Sequence, residues 1–252
     1  MNYENFMLLI WSWILFGLAI FLVLLFVTAP YGRHVRKDWG PIIPNRTGWF
    51  IMEFPSLLVF ILCFLFGPNQ PYIVAWIFFA IYVFHYTNRS IIYPWRTRTS
   101  GKAMPLVVVL TGIFFNLVNG FINGYYFSAF SREYTFDWLI DARFIIGTIV
   151  FASGIFINWW SDQILLDLRK GGKTGYFIPR KGLFKWISCP NFLGEIIEWT
   201  GFAIMTWSPA ALAFALWTFY NLAPRALSHH KWYQSTFEDY PEDRKALIPL
   251  IL

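Results

Sequence analysis

Charge is what this 252-residue chain has least of: Asp, Glu, Lys and Arg make up 13% of it, about half the share of a soluble globular domain. So few charges cannot coat a soluble particle of this length. Cysteine is scarcer still, and its two residues, Cys63 and Cys189, are too few to argue a disulfide or a metal site. No GxGxxG, Walker A, GxSxG or CxxC pattern occurs. A nucleotide, where one binds, is therefore not held by a Rossmann unit. HExxH is also missing, and the adjacent His229 and His230 point apart on a helix with no third ligand nearby, so no metal is expected. Met1 to Glu4 carries no basic n-region and the first apolar run ends in no small-residue cleavage pattern; that run reads as a retained helix. Repeats and low-complexity segments are lacking, and one domain over residues 1–252 is expected.

What fills the chain instead is apolar: 57% hydrophobic and 22% aromatic residues, with a mean hydropathy of +0.49. This is the composition of an integral membrane protein, all-α and polytopic. About 20 apolar residues span a bilayer, and seven such runs are read at 6–28, 49–66, 71–94, 105–128, 143–166, 192–207 and 209–226. With seven spans, every basic residue of the 20 except Arg132 and Arg143 falls on one side. The positive-inside rule makes that side cytoplasmic, with the N-terminus outside and the C-terminus in the cytoplasm. Lipid headgroups and topology account for most of the net charge of +6, so no nucleic-acid partner is required. The membrane itself is left open between a bacterial inner membrane and the endoplasmic reticulum. No obligate protein partner is evident.

Polar residues inside such runs are costly and therefore informative. Pro190 to Trp199 opens an apolar stretch in which Asn191, Glu195 and Glu198 fall within roughly 60° of one another on a helical wheel. A carboxylate at mid-membrane costs roughly 2.5 to 3.5 kcal/mol even on insertion scales. This stripe is read as the lining of a buried polar cavity. The fifth run repeats the pattern, with Asn158, Asp162 and Arg169 on one face. In the second run Glu53 lies about one turn inside the span, either pairing with an arginine at the interface or held as a protonated hydrogen-bond donor. Tyr82, Tyr86, Arg89 and Tyr93 share a face of the third; Tyr93 and Tyr82 suit interfacial anchors, whereas Tyr86 is deep enough to need a partner. Asn116, Asn119 and Asn123, with the Gly120-to-Gly124 GxxxG, are read first as cross-links permitting close helix approach, and second as a cavity rim. Arg225 and His229, one turn apart beyond the last span, suit phosphate.

The stretches Asn191-Phe192-Leu193-Gly194-Glu195-Ile196-Ile197-Glu198-Trp199, Thr206-Trp207-Ser208, Phe237-Glu238-Asp239-Tyr240-Pro241 and Arg244-Lys245-Ala246-Leu247-Ile248-Pro249 together resemble the steroid 5α-reductase family (3-oxo-5α-steroid 4-dehydrogenases), in its type 2 and type 1 members. Trp49 to Pro55 and His85-Tyr86 extend the likeness toward the N-terminus. The resemblance implies an NADPH-dependent reductase that adds hydride at C5 of a Δ4-3-oxosteroid. Glu53 and Tyr86 would bracket the enone carbonyl as catalytic residues, and Trp49 and Phe115 would line the steroid. Cofactor contacts would fall on Arg98, Asn158, Asp162, Arg169, Tyr176, Asn191, Glu195, Arg225, His229 and Tyr233. The first four helices would serve mainly the substrate, and the last three with the cytoplasmic loops mainly the cofactor. Met52 stands where the type 2 enzyme carries Gln, and Phe177 where it carries Arg. Reduction of another activated alkene (a trans-2-enoyl-CoA or a polyprenol-derived enone), an S-adenosylmethionine-dependent membrane methyltransferase, and a lipid-binding scaffold without activity are the competing readings.

Overall fold

The computed structural model describes residues 1–97, 101–172 and 175–252. Helices form in all seven apolar runs: α1 (Tyr3–Leu24), α2 (Asn45–Leu65), α3 (Ala75–Tyr86) continued by a π-helical turn (Thr87–Ile92) and α4 (Tyr93–Arg96), α5 (Leu106–Ala129), α6 (Ala142–Asp167), α7 (Pro190–Thr206) and α8 (Pro209–Thr236). Of these, α1, α2, α5 and α6 are long and apolar enough to cross a membrane by length and composition. The chain is thus a nearly all-α membrane protein. Among the described residues the strand structure is a short antiparallel ladder, β1 (Ile42–Pro44) on β2 (Ala103–Pro105), with an isolated parallel bridge between Ile187 and Lys245. Several boundaries also differ from the expected runs: α1 ends at Leu24 and α2 starts at Asn45. The third run becomes helical only at Ala75, and α8 continues unbroken to Thr236 instead of ending near 226.

By contacts the chain divides into two compact units: residues 1–10 with 29–144, and residues 11–28 with 145–252. In the first, α2 and α5 begin side by side because the ladder ties their starts: Asn45 donates to the Lys102 carbonyl (3.0 Å) and Leu106 to the Pro41 carbonyl (2.7 Å). The expected close approach follows along their length. A methyl group on Gly120 would stand 2.8 Å from the Ser56 carbonyl oxygen, and one on Gly124 2.6 Å from that of Phe60. Only hydrogen fits there, which is what a GxxxG face provides. Aromatic packing seals this unit, with Phe60 stacked on Tyr82 at 3.8 Å and Phe64, Phe78 and Phe127 buried around them.

In the second unit α6 and α7 run antiparallel in backbone contact. Added Cβ atoms on Gly147 and Gly154 would lie 2.3 Å from the Met205 amide and 2.2 Å from that of Glu198; on Gly194 and Gly201, 2.4 Å and 2.3 Å from the amides of Asn158 and Phe151. Each helix therefore presents two glycines seven residues apart, so they recur on one face and the axes can approach throughout. At the far end α7 stops at Trp207, left-handed at φ 46°. Ser208 then accepts a hydrogen bond from the Ala211 amide (3.1 Å), with Pro209 in the first helical position of α8, a start that fits the preference for a hydroxyl cap followed by proline.

Candidate active site

The unit holding Glu53 and Tyr86 builds its polar centre from three helices. Ser56 on α2 and Tyr82 on α3 share a hydrogen bond of 2.8 Å. Asn119 on α5 donates its amide hydrogens to the hydroxyls of Tyr82 (3.1 Å) and Tyr86 (3.3 Å). Asn123, one turn on, donates to the side-chain oxygen of Asn119 (3.1 Å) and to its carbonyl (3.0 Å). The rings of Tyr82 and Tyr86 stack at 4.7 Å, and the Glu53 carboxylate is near enough to act electrostatically on both phenols. Tyr82 therefore does not anchor at the interface as expected. It is fully buried, because Ser56 and Asn119 satisfy its hydroxyl inside the helix bundle. Tyr86, 3% exposed, has the partner that its depth demands. Asn116 donates to the Met52 carbonyl at 2.7 Å, so the asparagine stripe does cross-link helices.

Two local features set this geometry. Immediately after Tyr86 the backbone widens into the π-helical turn, where Tyr93 donates to the Asn88 carbonyl five residues back, and Ser90 Oγ donates to the Tyr86 carbonyl at 2.5 Å. Such turns occur mostly as single insertions in α-helices, frequently at functional sites. The wider turn also breaks the 3.6-residue face on which Tyr82, Tyr86, Arg89 and Tyr93 were read together. Arg89 instead lies over the rings of Trp49 (4.9 Å) and Tyr93 (5.7 Å), and its carbonyl accepts from Trp49 Nε1 (3.2 Å). Trp49 is thereby fixed at the start of α2, half-buried, as is Phe115 on α5.

In the other unit, the glycine contact between α6 and α7 aligns their polar stripes. Asn158 donates to the Asn191 carbonyl (2.9 Å), and Asn191 Nδ2 donates to Asp162 (3.2 Å). Glu195 follows one turn on, half-buried. Glu198 differs from the cavity-lining role expected of it: it is 0% exposed, and its backbone forms the wall that Gly154 meets. Arg169 lies over Tyr176 at 5.4 Å, and Tyr176 meets the edge of Trp232 at 5.1 Å. Arg225, His229 and Tyr233 are buried on successive turns of α8, with His229 against Phe192 at 5.5 Å. Arg98 lies outside the described residues.

The C-terminal segment supplies supports centred on Ser188, a residue that sequence reasoning did not single out. Residues 186–189 and 245–246 pair through main-chain bonds, Lys245 to Trp186, Ser188 to Lys245 and Cys189 to Ala246 (2.8 to 3.1 Å). Ser188 is the hub, 2.6 Å from both His230 Nδ1 and the Tyr240 hydroxyl. Tyr240 stacks on Tyr233 at 5.2 Å, and Cys189, Ala223, Ala226 and Leu247 close a small core beneath Phe192 and Leu193. The sequence signal for this segment was the family resemblance of Phe237 to Pro241 and Arg244 to Pro249, which does not disclose that it pairs with residues 186–189. His230 is held below the usual histidine range, first by burial and then by the neighbouring cations Lys245 and Arg244. Among the described residues no cluster of three or more His, Cys, Asp or Glu could hold a metal ion.

Comparison with known proteins adds an independent line. The family model described as 3-oxo-5-alpha-steroid 4-dehydrogenase matches residues 102–252. A steroid 5-alpha-reductase DET2 of Solanum lycopersicum is 45% identical over 235 residues, covering 92% of this chain and 91% of the relative. The 3-oxo-5-alpha-steroid 4-dehydrogenase 1 of Homo sapiens is 39% identical over 237 residues, 93% and 91% of the two chains. The 3-oxo-5-alpha-steroid 4-dehydrogenase 2 of Macaca fascicularis is 41% identical over 243 residues, 92% of each.

Proposed function

The chain belongs to the 3-oxo-5-alpha-steroid 4-dehydrogenase family, and from that premise we propose that it reduces the Δ4 double bond of 3-oxosteroids to 5α products with NADPH as reductant. The observation that carries the reading is Tyr86, a phenol buried among apolar helices yet bonded to Asn119 and within electrostatic reach of Glu53. Conjugate reduction places growing negative charge on the substrate carbonyl oxygen. A phenol held in a dry site donates to that oxygen at little reorganisation cost, a contribution of about 3 kcal/mol per donor. Glu53 polarises the phenol, and Trp49 and Phe115 supply apolar surface for the steroid.

The second unit's donor set suits a dinucleotide. Asn158, Asp162, Asn191 and Glu195 offer amides and carboxylates for carboxamide and ribose hydroxyls, and Arg169, Arg225 and His229 offer cations for phosphates. Tyr176 and Tyr233 add aromatic faces; Arg98 completes the set by resemblance. Bound there, NADPH supplies the hydride that the reaction adds at C5. Asp162 accepts from the Asn191 amide and so orients it, while Asn158 holds the Asn191 main-chain carbonyl.

For topology we propose seven spans, with the α3 to α4 rod, α7 and the apolar part of α8 crossing beside the four longer helices, the N-terminus outside and the C-terminus cytoplasmic. The support is charge: all basic residues but Arg132 and Arg143 then share one side,. The partners are a steroid and membrane lipid, and the location is a multi-pass membrane, bacterial inner membrane or endoplasmic reticulum.

The test is a steady-state assay of the purified protein with NADPH against NADH and testosterone or progesterone, scoring 5α against 5β product. Glu53→Gln is expected to bind both ligands and lose most turnover, and Tyr86→Phe to be nearly inactive. Near-native kcat in either variant would refute the assigned roles, and turnover of an enoyl-CoA in place of the steroid would refute the substrate class.

A further inference from the structure

The asparagines of α5 do more than join helices. Asn119 spends both amide hydrogens on phenol oxygens, those of Tyr82 and Tyr86, while its own oxygen accepts from Asn123. That last bond selects between the two ways an amide can face, since a flipped Asn119 would set NH2 against NH2 and turn an acceptor toward the tyrosines. Asn123 in turn is anchored by its second hydrogen to the Asn119 carbonyl, one turn back on the same helix.

The direction of the Asn119 bond matters chemically. A bond donated to Tyr86 occupies a lone pair of its oxygen, so the phenol's own O–H acts as donor. The bond also draws electron density from the oxygen, making the phenol a stronger donor. Had Asn119 presented its oxygen, it would have occupied the O–H that is to be donated to the substrate oxygen. We infer that Asn119, its amide orientation set by Asn123, is a positioning residue for the reduction: it fixes the Tyr86 hydroxyl as a donor and strengthens it as charge develops on the substrate oxygen. This rests on the role given to Tyr86 above.

The experiment uses the full chain, purified and reconstituted. Asn119→Leu removes the amide with little change in volume and leaves Tyr82 its bond to Ser56. The expected result is a fall in kcat of roughly five- to tenfold, the worth of one neutral hydrogen bond, with KM for steroid and for NADPH within about twofold. Asn123→Leu is expected to lower kcat by a smaller factor in the same way. The double variant should be no slower than Asn119→Leu alone, because the second residue acts through the first. Asn116→Leu, which removes a bond to the Met52 carbonyl on the same face, should lower the melting temperature and leave the kcat of the folded fraction intact. Turnover of Asn119→Leu within twofold of the parent, multiplying losses in the double variant, or a rise in KM that matches the fall in kcat would each overturn the inference. Where Asn119→Leu does not fold, as judged by loss of NADPH binding, Asn123→Leu decides alone: unchanged kcat refutes. The two levels separate cleanly. An active Tyr86→Phe removes the proposed function, whereas an inactive Tyr86→Phe beside a fully active Asn119→Leu removes only the positioning role.

Discussion

Replacing Gly154 by alanine tests how the α6 and α7 stripes are brought together. The new methyl would lie 2.2 Å from the Glu198 amide nitrogen, 2.6 Å from its Cα and 2.7 Å from the Gly194 carbonyl oxygen. All three are backbone atoms, so no side chain can turn aside; the helices must part by about 1 Å to reach ordinary contact. A gap of that size forfeits roughly a quarter to a half of each dispersion contact along the seam. It also stretches the 2.9 Å bond from Asn158 to the Asn191 carbonyl past useful length, a loss of about 1 kcal/mol. Overpacking of this kind costs about 1 to 3 kcal/mol, and the gain in helix propensity from glycine to alanine returns about 1. The net expectation is roughly 2 kcal/mol of destabilisation, with NADPH affinity falling further than stability because Asn191 and Asp162 lose alignment. The control is Gly112→Ala, with the same propensity gain, whose nearest neighbours would be side-chain atoms of Met52, Cβ and Sδ at 3.0 Å, and not backbone. Melting of the detergent-solubilised protein followed by tryptophan fluorescence, together with NADPH titration, reads both terms. If Gly154→Ala melts with Gly112→Ala and binds NADPH as the parent does, the two helices are not in backbone contact and the derivation of the cofactor half fails.

Two other measurements bear on the supports. The folded His230 titrates below its unfolded value near 6.5,, so the unfolded chain binds more protons. Stability is then complete above about pH 6.5 and declines as the pH falls through that value toward the folded pKa. Limited proteolysis after Arg244 or Lys245 should rise on acidification, and His230→Gln should flatten that dependence; a pH-independent cleavage rate would remove the Ser188 hub from the account. Ser208→Ala deletes the cap on α8 and should cost about 1 kcal/mol of thermal stability without changing KM for either ligand; an unchanged melting temperature would show that the cap contributes nothing.

Much of this architecture could be read from residue order, and the failures share a cause. The polar stripes of α6 and α7 were visible because Asn and carboxylate at four-residue spacing have no routine place in an apolar run. The GxxxG of α5 was visible for a similar reason. The glycines at 147, 154, 194 and 201 were equally present in the sequence, but a spacing of seven across two segments means little until those segments are known to be neighbours. Glu198 shows the limit of a helical wheel: it shares a stripe with Asn191 and Glu195, yet the same wheel cannot say that the α6 backbone covers it. Tyr82 was misplaced because a tyrosine in an apolar run suits an interfacial anchor, and the partners that make its burial tolerable, Ser56 and Asn119, lie 26 and 37 residues away. The three-residue ladder before α2 and α5 is too short to show a period of two.

The widened turn after Tyr86 also governs how this region tolerates changes in length. An ordinary α-helical turn takes 3.6 residues, and a π turn accommodates one more within a similar arc. Deleting a single residue between Thr87 and Ile92 would let the segment tighten to an α-helical turn over the same arc,, so Tyr93 to Arg96 keep their facing and Tyr82 and Tyr86 keep their stacking. The same deletion before Tyr86 would turn one phenol away from the other. Evolution can therefore add or drop a residue on one side of that tyrosine at modest cost and hardly at all on the other. An alignment that places a gap in this stretch marks the loss of the widened turn itself, not a change in the pair of phenols.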